Sequence, residues 1–281
     1  MKKIVILFLA ISLAGTTITA MEGLSVGGEL AIVDFDDAGE WMFIRPMVIY
    51  EKSFDALDIY VEGGAPFWVN PEFWLGLDVN AKVTYNLDVG LGKLALSAES
   101  WSFLPVIEDF MISTVSQVPV SWFGVFGGSY KFSTYLGLEA QYTHGFDFGD
   151  FYGRVETPFV VIENGASFFD WAMLNLTAGV EANSGFGGGM TIFNVLRNYG
   201  DGSDFFYAVG LFGSYRSGPL FAGIDIVIPV NDMDFYGVTF VPKIEYKLDS
   251  SFTIYGSLPI SGIGSDNDVI LGLIAGVKYR F

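Results

Sequence analysis

The last fourteen residues of the chain, Asp268 to Phe281, read D-V-I-L-G-L-I-A-G-V-K-Y-R-F. Every odd position from Val269 onward is apolar or aromatic, whereas the even positions from Gly276 onward carry glycine, lysine and arginine. This period of two predicts a β-strand with one apolar face. The stretch is longer than most strands of soluble proteins and exceeds the ~9 to 11 tilted residues that a strand needs to cross a bilayer. It therefore predicts a membrane-spanning strand whose apolar face ends on Tyr279 and Phe281.

The N-terminus has the pattern of a secretory signal peptide. Lys2 and Lys3 give a positive start, an apolar run extends from Ile4 to Leu13, and Ala20 offers a small residue at the cleavage point. The apolar run is too short for a membrane-spanning helix. We expect residues 1–20 to be removed on export and residues 21–281 to form one domain.

The composition combines strong negative charge with high hydrophobicity. The formal charge is −18, while the chain is 51% hydrophobic and 17% aromatic. After the signal peptide, no run approaches the ~18 consecutive apolar residues of a membrane-spanning helix. Inside a membrane every backbone N–H and C=O must be paired, so alternating hydrophobicity can enter it only as a closed barrel. The acidic balance also argues against nucleic acid as a partner, and the chain contains no cysteine.

The same alternation recurs along the chain. Its clearest internal case is Leu77 to Tyr85, where Asp78, Asn80 and Lys82 all face one way. We predict an all-β fold, a transmembrane antiparallel up-and-down β-barrel of 14 strands, with 12 or 16 strands as alternatives; an even number returns both termini to one side. The strands are expected at residues 24–32, 42–50, 57–62, 77–85, 93–99, 119–132, 134–143, 151–162, 172–182, 205–216, 220–228, 236–247, 251–259 and 268–281.

Two stretches interrupt this pattern. Residues 103–118 are partly apolar and too long for a hairpin turn, and residues 183–204 include three consecutive glycines and the apolar segment 190–196. We expect residues 183–204 to form a long loop, with an extra strand inside it as the alternative. Short turns are expected at one end of the barrel and longer connections at the other. The expected turns are residues 52–55, 86–92, 131–134, 217–219 and 248–250.

The polar strand faces are expected to point into the lumen. They carry acids and bases in nearly equal number: Glu29, Glu51, Asp58, Glu62, Asp78, Glu99, Glu139, Glu156, Glu181, Asp225 and Glu245 against Arg45, Lys82, Lys93, Lys131, Arg154, Arg216, Lys243, Lys247, Lys278 and Arg280. Many small barrels fill their interior with such pairs, but a 14-stranded bore is wider and favours an aqueous path unless long segments fold inward. The candidate pore-lining residues are Glu62, Asp78, Lys82, Glu139, Arg154, Glu181, Asp225, Lys243 and Glu245.

Most of the remaining acids fall in connections assigned to the long-loop side. An acidic mouth there would gather cations and repel anions. The alternative is that these acids only keep exposed segments solvated. A divalent-cation site at Asp34, Asp36 and Asp37 is a weaker alternative, because these acids lack the glycine and terminal glutamate of a calcium loop. The expected acidic outer mouth comprises Asp34, Asp36, Asp37, Glu40, Glu108, Asp109, Asp147, Asp150, Asp201, Asp204, Asp232 and Asp234.

The signal peptide, the repeated alternation and the aromatic C-terminus together resemble bacterial outer-membrane β-barrel proteins of the porin type, without a motif of any specific family. The resemblance implies a location in the outer membrane, in contact with its lipid, and passive diffusion of small hydrophilic solutes. It also implies that Tyr279 and Phe281 form an insertion signal read by the barrel assembly machinery.

The sequence gives little support for catalysis. His144 is the only histidine, and Phe146 stands where a resembling barrel phospholipase would have a serine two residues after its histidine. A Ser–His pair could still form in space, but a lone histidine at a strand end more often belongs to interfacial packing. Residues 187–189 lack the Lys-Ser/Thr that follows a phosphate-binding glycine loop. We expect no enzymatic activity, no metal site and no cofactor.

Three functions therefore remain open. The first is a channel for small solutes or cations with a cation-favouring outer mouth. The second is a non-conducting structural or adhesin barrel in which the acidic loops do the work. The third is a transporter of hydrophobic solutes, suggested by the apolar segments 103–118 and 190–196. The sequence leaves the solute and the oligomeric state undetermined.

Overall fold

The computed structural model describes residues 22–34, 40–70, 74–107, 133–162, 171–198, 203–231, 237–264 and 269–281. In these ranges the regular structure is β-sheet, and no helix is long and apolar enough to cross a membrane. The strands are β1 Leu24–Asp34, β2 Glu40–Phe54, β3 Leu57–Gly64, β4 Phe67–Asn70, β5 Trp74–Val89, β6 Gly92–Ile107, β7 Ser133–Phe146, β8 Gly149–Ile162, β9 Trp171–Ala182, β10 Phe186–Asn198, β11 Ser203–Ser217, β12 Leu220–Asn231, β13 Val238–Lys247, β14 Phe252–Ser257, β15 Ile260–Ile263 and β16 Ile270–Arg280.

The sheet closes into a barrel because β1 pairs antiparallel with both β2 and β16. The other strands follow one another around the wall in chain order. β3 and β4 share one position between β2 and β5, and β14 and β15 share one position between β13 and β16. The wall therefore has 14 positions, which confirms the predicted strand number and the up-and-down topology.

Proline interrupts both of the shared positions. Ala65-Pro66 separates β3 from β4, and Leu258-Pro259 separates β14 from β15. In each case the residue before the proline still donates its N–H to a neighbouring strand, to the Pro46 carbonyl at 3.0 Å and to the Pro242 carbonyl at 2.9 Å. Proline itself has no N–H to give to the ladder, so the strand is interrupted there while the wall stays paired on either side.

The terminal strand has the two faces that its sequence predicts. Leu271 and Leu273 are 47% and 48% exposed on the outer face. Ile274, the next residue along the strand, points inward and is 7% exposed. Large apolar side chains lie exposed on the outer faces of the other strands as well. The outside of the barrel therefore presents an apolar surface suited to lipid.

Aromatic side chains collect on the outer surface at the end that holds the short turns, the start of β1 and the end of β16. A smaller group, including Phe205 and Tyr207, lies near the other end. At about 3.3 Å per residue and a tilt of about 40°, the segment from Phe205 to Tyr215 spans about 25 Å of height, the thickness of the apolar band of outer-membrane barrels. The group at the short-turn end comprises Phe54, Tyr85, Tyr142, Phe146, Phe151, Phe186, Tyr215, Tyr246 and Tyr279.

Two predicted assignments along the chain were wrong. The expected long loop at 183–204 contains β10, so the alternative of an extra strand was the correct one. β6 extends to Ile107 and thus into the stretch expected to be irregular. The predicted strand 119–132 and the predicted signal peptide 1–20 lie outside the described residues. β10 was missed because its three consecutive glycines, residues 187–189, show no alternation of apolar and polar side chains. The structure gives a reason for one of them: a Cβ at Gly189 would stand 2.5 Å from Cζ of Phe212, so this glycine makes room for a ring on the neighbouring strand.

An arginine on the outer face should destabilise the barrel strongly. We expect Leu273→Arg to lower the free energy of unfolding by about 2 to 4 kcal/mol, the cost of arginine near the bilayer midplane. Urea titration of the protein folded in lipid vesicles measures this value. Thr253→Arg, on the inner face of β14, is the matched control and should cost less because its side chain enters the lumen. Equal losses for the two variants would contradict the assignment of the outer face.

Candidate functional site

The nine predicted pore-lining residues all lie on strand faces that point into the barrel. Their neighbours on either side along each strand point outward. They do not form one continuous lining, because the structure divides them among a buried cluster, a half-buried network and separate pairs. Glu62 lies in β3, Asp78 and Lys82 in β5, Glu139 in β7, Arg154 in β8, Glu181 in β9, Asp225 in β12, and Lys243 and Glu245 in β13.

Arg45 is the centre of the buried cluster. It donates to both carboxylate oxygens of Asp78, from Nε at 2.8 Å and from Nη2 at 2.5 Å. Nη2 also lies 2.5 Å from Oε1 of Glu62, and Nη1 lies 3.4 Å from Oε2 of Glu29. The Arg45, Glu29 and Glu62 side chains are at most 1% exposed. One guanidinium therefore holds three carboxylates away from water, with the two-pronged geometry that arginine favours.

Two tyrosines and two glycines complete this cluster. Tyr255 donates its hydroxyl to Glu29 at 2.7 Å, and Tyr60 donates to Glu62. The Tyr255 ring lies over Gly276, and a Cβ at Gly64 would stand 2.7 Å from Cζ of Arg45. Through these contacts the network extends from β14 over β16, β1, β2 and β3 to β5. It therefore crosses the junction of the first and last strands.

The cluster corrects the prediction for two residues. Glu62 and Asp78 face the interior, but at 0% and 3% exposure they are withdrawn from water and do not line an aqueous path. Glu29 and Arg45 were counted among the lumenal charges without any indication that they meet these acids. The relevant signal is register, since Glu29 lies directly opposite Arg45 in the β1–β2 pair.

A second, half-buried network joins β5, β6, β7 and β8. Lys82 Nζ lies 3.2 Å from Glu139 and 3.7 Å from Glu99. Arg154 approaches the same Glu139 at 4.0 Å. Trp101, buried beside this network, donates its indole N–H to Glu99 at 2.9 Å. Three of the predicted pore-lining residues thus come together around one carboxylate.

Two separate ion pairs hold four more of the lumenal charges. Lys243 lies 2.6 Å from Asp225, and Lys278 lies 3.0 Å from Glu51. Both pairs keep contact with water. Glu181 is exposed near the short-turn end of β9.

Two cavities are lined by inward-facing side chains of the described strands. The larger has a volume of about 530 Å³ and is lined by charged side chains, including Arg154, Lys243 and Glu245, and by the rings of Phe193, Phe212 and Phe221. The other, of about 500 Å³, lies at the short-turn end and is lined by Glu22, Glu51, Asp58, Lys82 and Arg280, among others.

Inward-facing rings lean along the wall across glycines. A Cβ at Gly179 would stand 2.5 Å from Cζ of Tyr152, and one at Gly210 would stand 2.7 Å from Cε2 of Phe193. Each ring thus occupies space next to the sheet that a neighbouring side chain would otherwise fill. The lumen keeps more open volume than its aromatic content suggests.

The structure describes the strand or turn positions of only five of the twelve residues predicted for the acidic mouth. Asp34 ends β1, Glu40 begins β2 and Asp204 lies near the start of β11, all at the end with the longer connections. Asp147, in the β7–β8 turn, and Asp150, at the start of β8, lie instead at the short-turn end. Their assignment to the outer mouth was wrong, because predicting a strand at 119–132 and missing β10 exchanged the two ends for every connection in between. The others, Asp36, Asp37, Glu108, Asp109, Asp201, Asp232 and Asp234, lie outside the described residues.

His144 lies near the short-turn end of β7. The His144 ring packs edge-on against Phe146, with centroids 4.6 Å apart, in the aromatic group at the short-turn end. Across the described part of the chain, no three His, Cys, Asp or Glu side chains are grouped to hold a metal ion. Two of the three acids considered for a divalent-cation site, Asp36 and Asp37, fall outside that part.

Known structures share this architecture. The outer membrane protein Omp33 of Acinetobacter baumannii superimposes with a TM-score of 0.52 at 11% identity, over 92% of this chain and 98% of Omp33. The fold is that of an outer-membrane β-barrel. A mutant of the Rhodopseudomonas blastica porin matches 93% of this chain and 100% of its own, at 10% identity and a TM-score of 0.44. No protein-family model and no curated protein sequence matches the chain.

Removing the central arginine should unfold the barrel more easily than removing an exposed lysine. We expect Arg45→Ala to lower the free energy of unfolding by about 3 to 5 kcal/mol, because three buried carboxylates lose their counter-charge. Lys52→Ala is the control: its pair with Glu22 is exposed, at 3.3 Å, and its loss should cost less than about 1 kcal/mol. Urea titration in vesicles measures both, and a loss under about 1 kcal/mol for Arg45→Ala would refute the role of the cluster.

Proposed function

We propose that this protein is an outer-membrane channel through which small hydrophilic solutes diffuse passively. The observation that carries the proposal is the pair of lumenal cavities, about 530 Å³ and about 500 Å³, inside a closed wall whose outer face is apolar. Charged side chains such as Arg154, Asp225 and Lys243 reach these cavities and remain partly in contact with water. Such a lining favours water and polar solutes over apolar ones.

One of the two apolar segments that suggested transport of hydrophobic solutes no longer supports that hypothesis. Residues 190–196 belong to β10, where Met190, Ile192 and Leu196 lie on the outer face with the other lipid-facing side chains. Their apolar character is explained by the membrane. Of the other segment, residues 103–107 belong to β6, and residues 108–118 lie outside the described residues.

A cation-favouring outer mouth is the finer part of the proposal. It is supported by the acids whose strand positions lie at the end with the longer connections, Asp34, Glu40 and Asp204. The lumenal wall itself carries acids and bases in nearly equal number, so its net field is weak. A group of acids at one mouth would therefore dominate the attraction of cations from solution.

The proposal includes export and assembly. The leader at residues 1–20 would direct the chain out of the cytoplasm, and Tyr279 and Phe281 would be read by the barrel assembly machinery. Their rings lie 5.3 Å apart at the short-turn end, and the Phe281 N–H donates to the Leu24 carbonyl at 3.1 Å. The C-terminus is thus fixed against the first strand, where the barrel closes.

Reconstitution into a planar bilayer tests the channel directly. We expect discrete conductance steps, and a reversal potential in a salt gradient that shows preference for cations. Uptake of sugars of increasing size into vesicles would give the size limit. A folded barrel that produces no steps would refute the channel and favour the surface structural or adhesin barrel.

The contribution of the mouth can be tested with charge-matched variants. The double variant Asp34→Asn/Glu40→Gln should reduce the ratio of cation to anion permeability, because it removes two acids from the long-loop end. Asp147→Asn/Asp150→Asn removes two acids from the short-turn end, where Arg216 and Lys247 also lie, and should change the ratio less. A larger change for the second variant would contradict an acidic mouth at the long-loop end.

A further inference from the structure

Two inward-facing rings lie over a pair of glycines in the wall of the larger cavity. Gly179 on β9 and Gly189 on β10 are direct register partners. Tyr152 on β8 is the partner of Gly179, and Phe212 on β11 is the partner of Gly189. A Cβ at either glycine would stand 2.5 Å from the Cζ atom of the ring beside it. The two rings therefore point toward each other along the sheet, over two residues that have no side chain.

A third ring extends this surface toward the long-loop end. Phe193 on β10 leans over Gly210 on β11, where a Cβ would stand 2.7 Å from Cε2 of the ring. Phe193, Tyr152 and Phe212 all line the larger cavity, and we call these three rings the aromatic platform. Because the rings lie along the wall, they leave the cavity open beside them, and a solute in it can pack against them.

The charges that line the larger cavity favour a cationic solute. Each base in its lining has a carboxylate within 4.0 Å, in the pairs Arg154–Glu139, Lys243–Asp225 and Lys278–Glu51. Two acids in the same lining, Glu156 and Glu245, form no ion pair with a lysine or arginine of the described residues. The charge that remains without a counter-charge in this cavity is therefore negative.

Glu156 is the acid that lies beside the aromatic platform. It is the register partner of Asn175 on β9, which in turn is the partner of Phe193. Glu156 is 7% exposed and Asn175 is 1% exposed. The Asn175 Nδ2 donates to Glu156 at 3.2 Å, whereas the Asn175 Oδ1 is buried without a hydrogen-bond donor. An amide oxygen and a carboxylate thus remain as acceptors at one edge of the platform, which suits a positively charged N–H group.

Arg154 does not supply the missing counter-charge, although it lies on the same strand as Tyr152 and Glu156. Its Nη1 lies 4.0 Å from Glu139 on β7, on the side of β8 away from the platform. Its Nε donates to no acceptor among the described residues, so it does not bind Glu156 either. The carboxylate of Glu156 is therefore left for a cation from outside the protein.

We propose that the aromatic platform and Glu156 form a binding site for small organic cations that carry a flat apolar group, such as arylalkylamines. The inference rests on the proposed channel function and names a class of solute that would be retained in the lumen. The flat group would pack on the rings, and the ammonium would lie between the rings and the carboxylate. A positive charge is attracted by the quadrupole of an aromatic ring, most strongly where little water surrounds it. The volume of about 530 Å³ is within the usual range of small-molecule sites.

Binding of four matched compounds tests this site independently of conduction. Benzylammonium has a ring and a positive charge, benzyl alcohol has the ring alone, benzoate has the ring with a negative charge, and methylammonium has the positive charge alone. Titration calorimetry of the folded protein in lipid nanodiscs, with empty nanodiscs subtracted, measures each Kd. We expect benzylammonium to bind about tenfold more tightly than any of the other three.

Two substitutions should weaken the binding of benzylammonium for different reasons. Phe212→Leu keeps an apolar side chain but removes a ring of the platform, and Glu156→Gln keeps the shape of the side chain but removes its charge. Each should raise the Kd of benzylammonium by about threefold to tenfold. Glu156→Gln should leave the weaker binding of benzyl alcohol unchanged, because the alcohol carries no charge.

Phe205→Leu and Asp88→Asn are the matched controls. Phe205 lies on the outer face of the same strand as Phe212, and Asp88 lies at the short-turn end of β5. Neither residue lines the larger cavity, and neither substitution should change the Kd. Tyr152→Leu, at the other side of the two glycines, is a second ring variant. Resistance of the folded barrel to unfolding by detergent on gels verifies that each variant is assembled.

The outcomes separate the binding site from the channel. Equal binding of benzylammonium and benzyl alcohol, or an unchanged Kd in the folded ring and Glu156→Gln variants, would overturn the site, and conductance steps from the same protein would leave the channel intact. Binding that is weakened by Phe212→Leu and Glu156→Gln in a barrel without conductance would support the site and refute the channel. Neither binding nor conductance would refute both.

Discussion

Backbone hydrogen bonding inside a membrane is the constraint on which this structure depends. An unpaired N–H or C=O facing lipid costs several kcal/mol, so the sheet must have no free edge. The pairing of β1 with β16, from Ser25–Arg280 to Asp34–Leu271, removes the last edge. The prolines are consistent with the same constraint, because the wall is interrupted only locally at Pro66 and Pro259 and neighbouring amides remain bonded.

Side chains reinforce the closure from within. Tyr255 on β14 lies across Gly276 on β16 and donates to Glu29 on β1. Glu29 in turn meets Arg45 on β2, which reaches the acids of β3 and β5. A buried charge is tolerated only when its partners are complete. The cluster thus couples the first strands to the last ones at the place where the two ends of the chain meet.

Glycine gives the lumen its shape. Inward-facing glycines let rings and a guanidinium lie along the wall, so the bulk of Tyr152, Phe193 and Arg45 does not project toward the axis. Charged side chains that contact water line the open volume. The barrel thereby combines a tightly packed sector, centred on Arg45, with open volume elsewhere in its interior.

Much of the fold and part of the site could be predicted from the sequence. Alternation identified thirteen of the fourteen barrel positions and assigned the nine lumenal candidates to the inner face, because side-chain direction along a strand follows from local backbone geometry. It failed for β10, where three glycines resembled a loop. The additional strand predicted at 119–132 moved Asp147 and Asp150 to the wrong end of the barrel in the prediction, whereas β6 pairs directly with β7. Local pattern could not reveal that Glu62 and Asp78 are buried, since burial depends on what lies opposite.

The sequence by itself therefore determined that the chain forms a closed transmembrane barrel with an apolar outside and a charged inside. Only the tertiary structure decided which charges meet. Tyr255 and Glu29 are 226 residues apart in the chain, and Lys278 and Glu51 are 227 residues apart. Contacts at such separations depend on the register of the closing strands, which is set by the pairing of the whole sheet and by no single stretch of the chain.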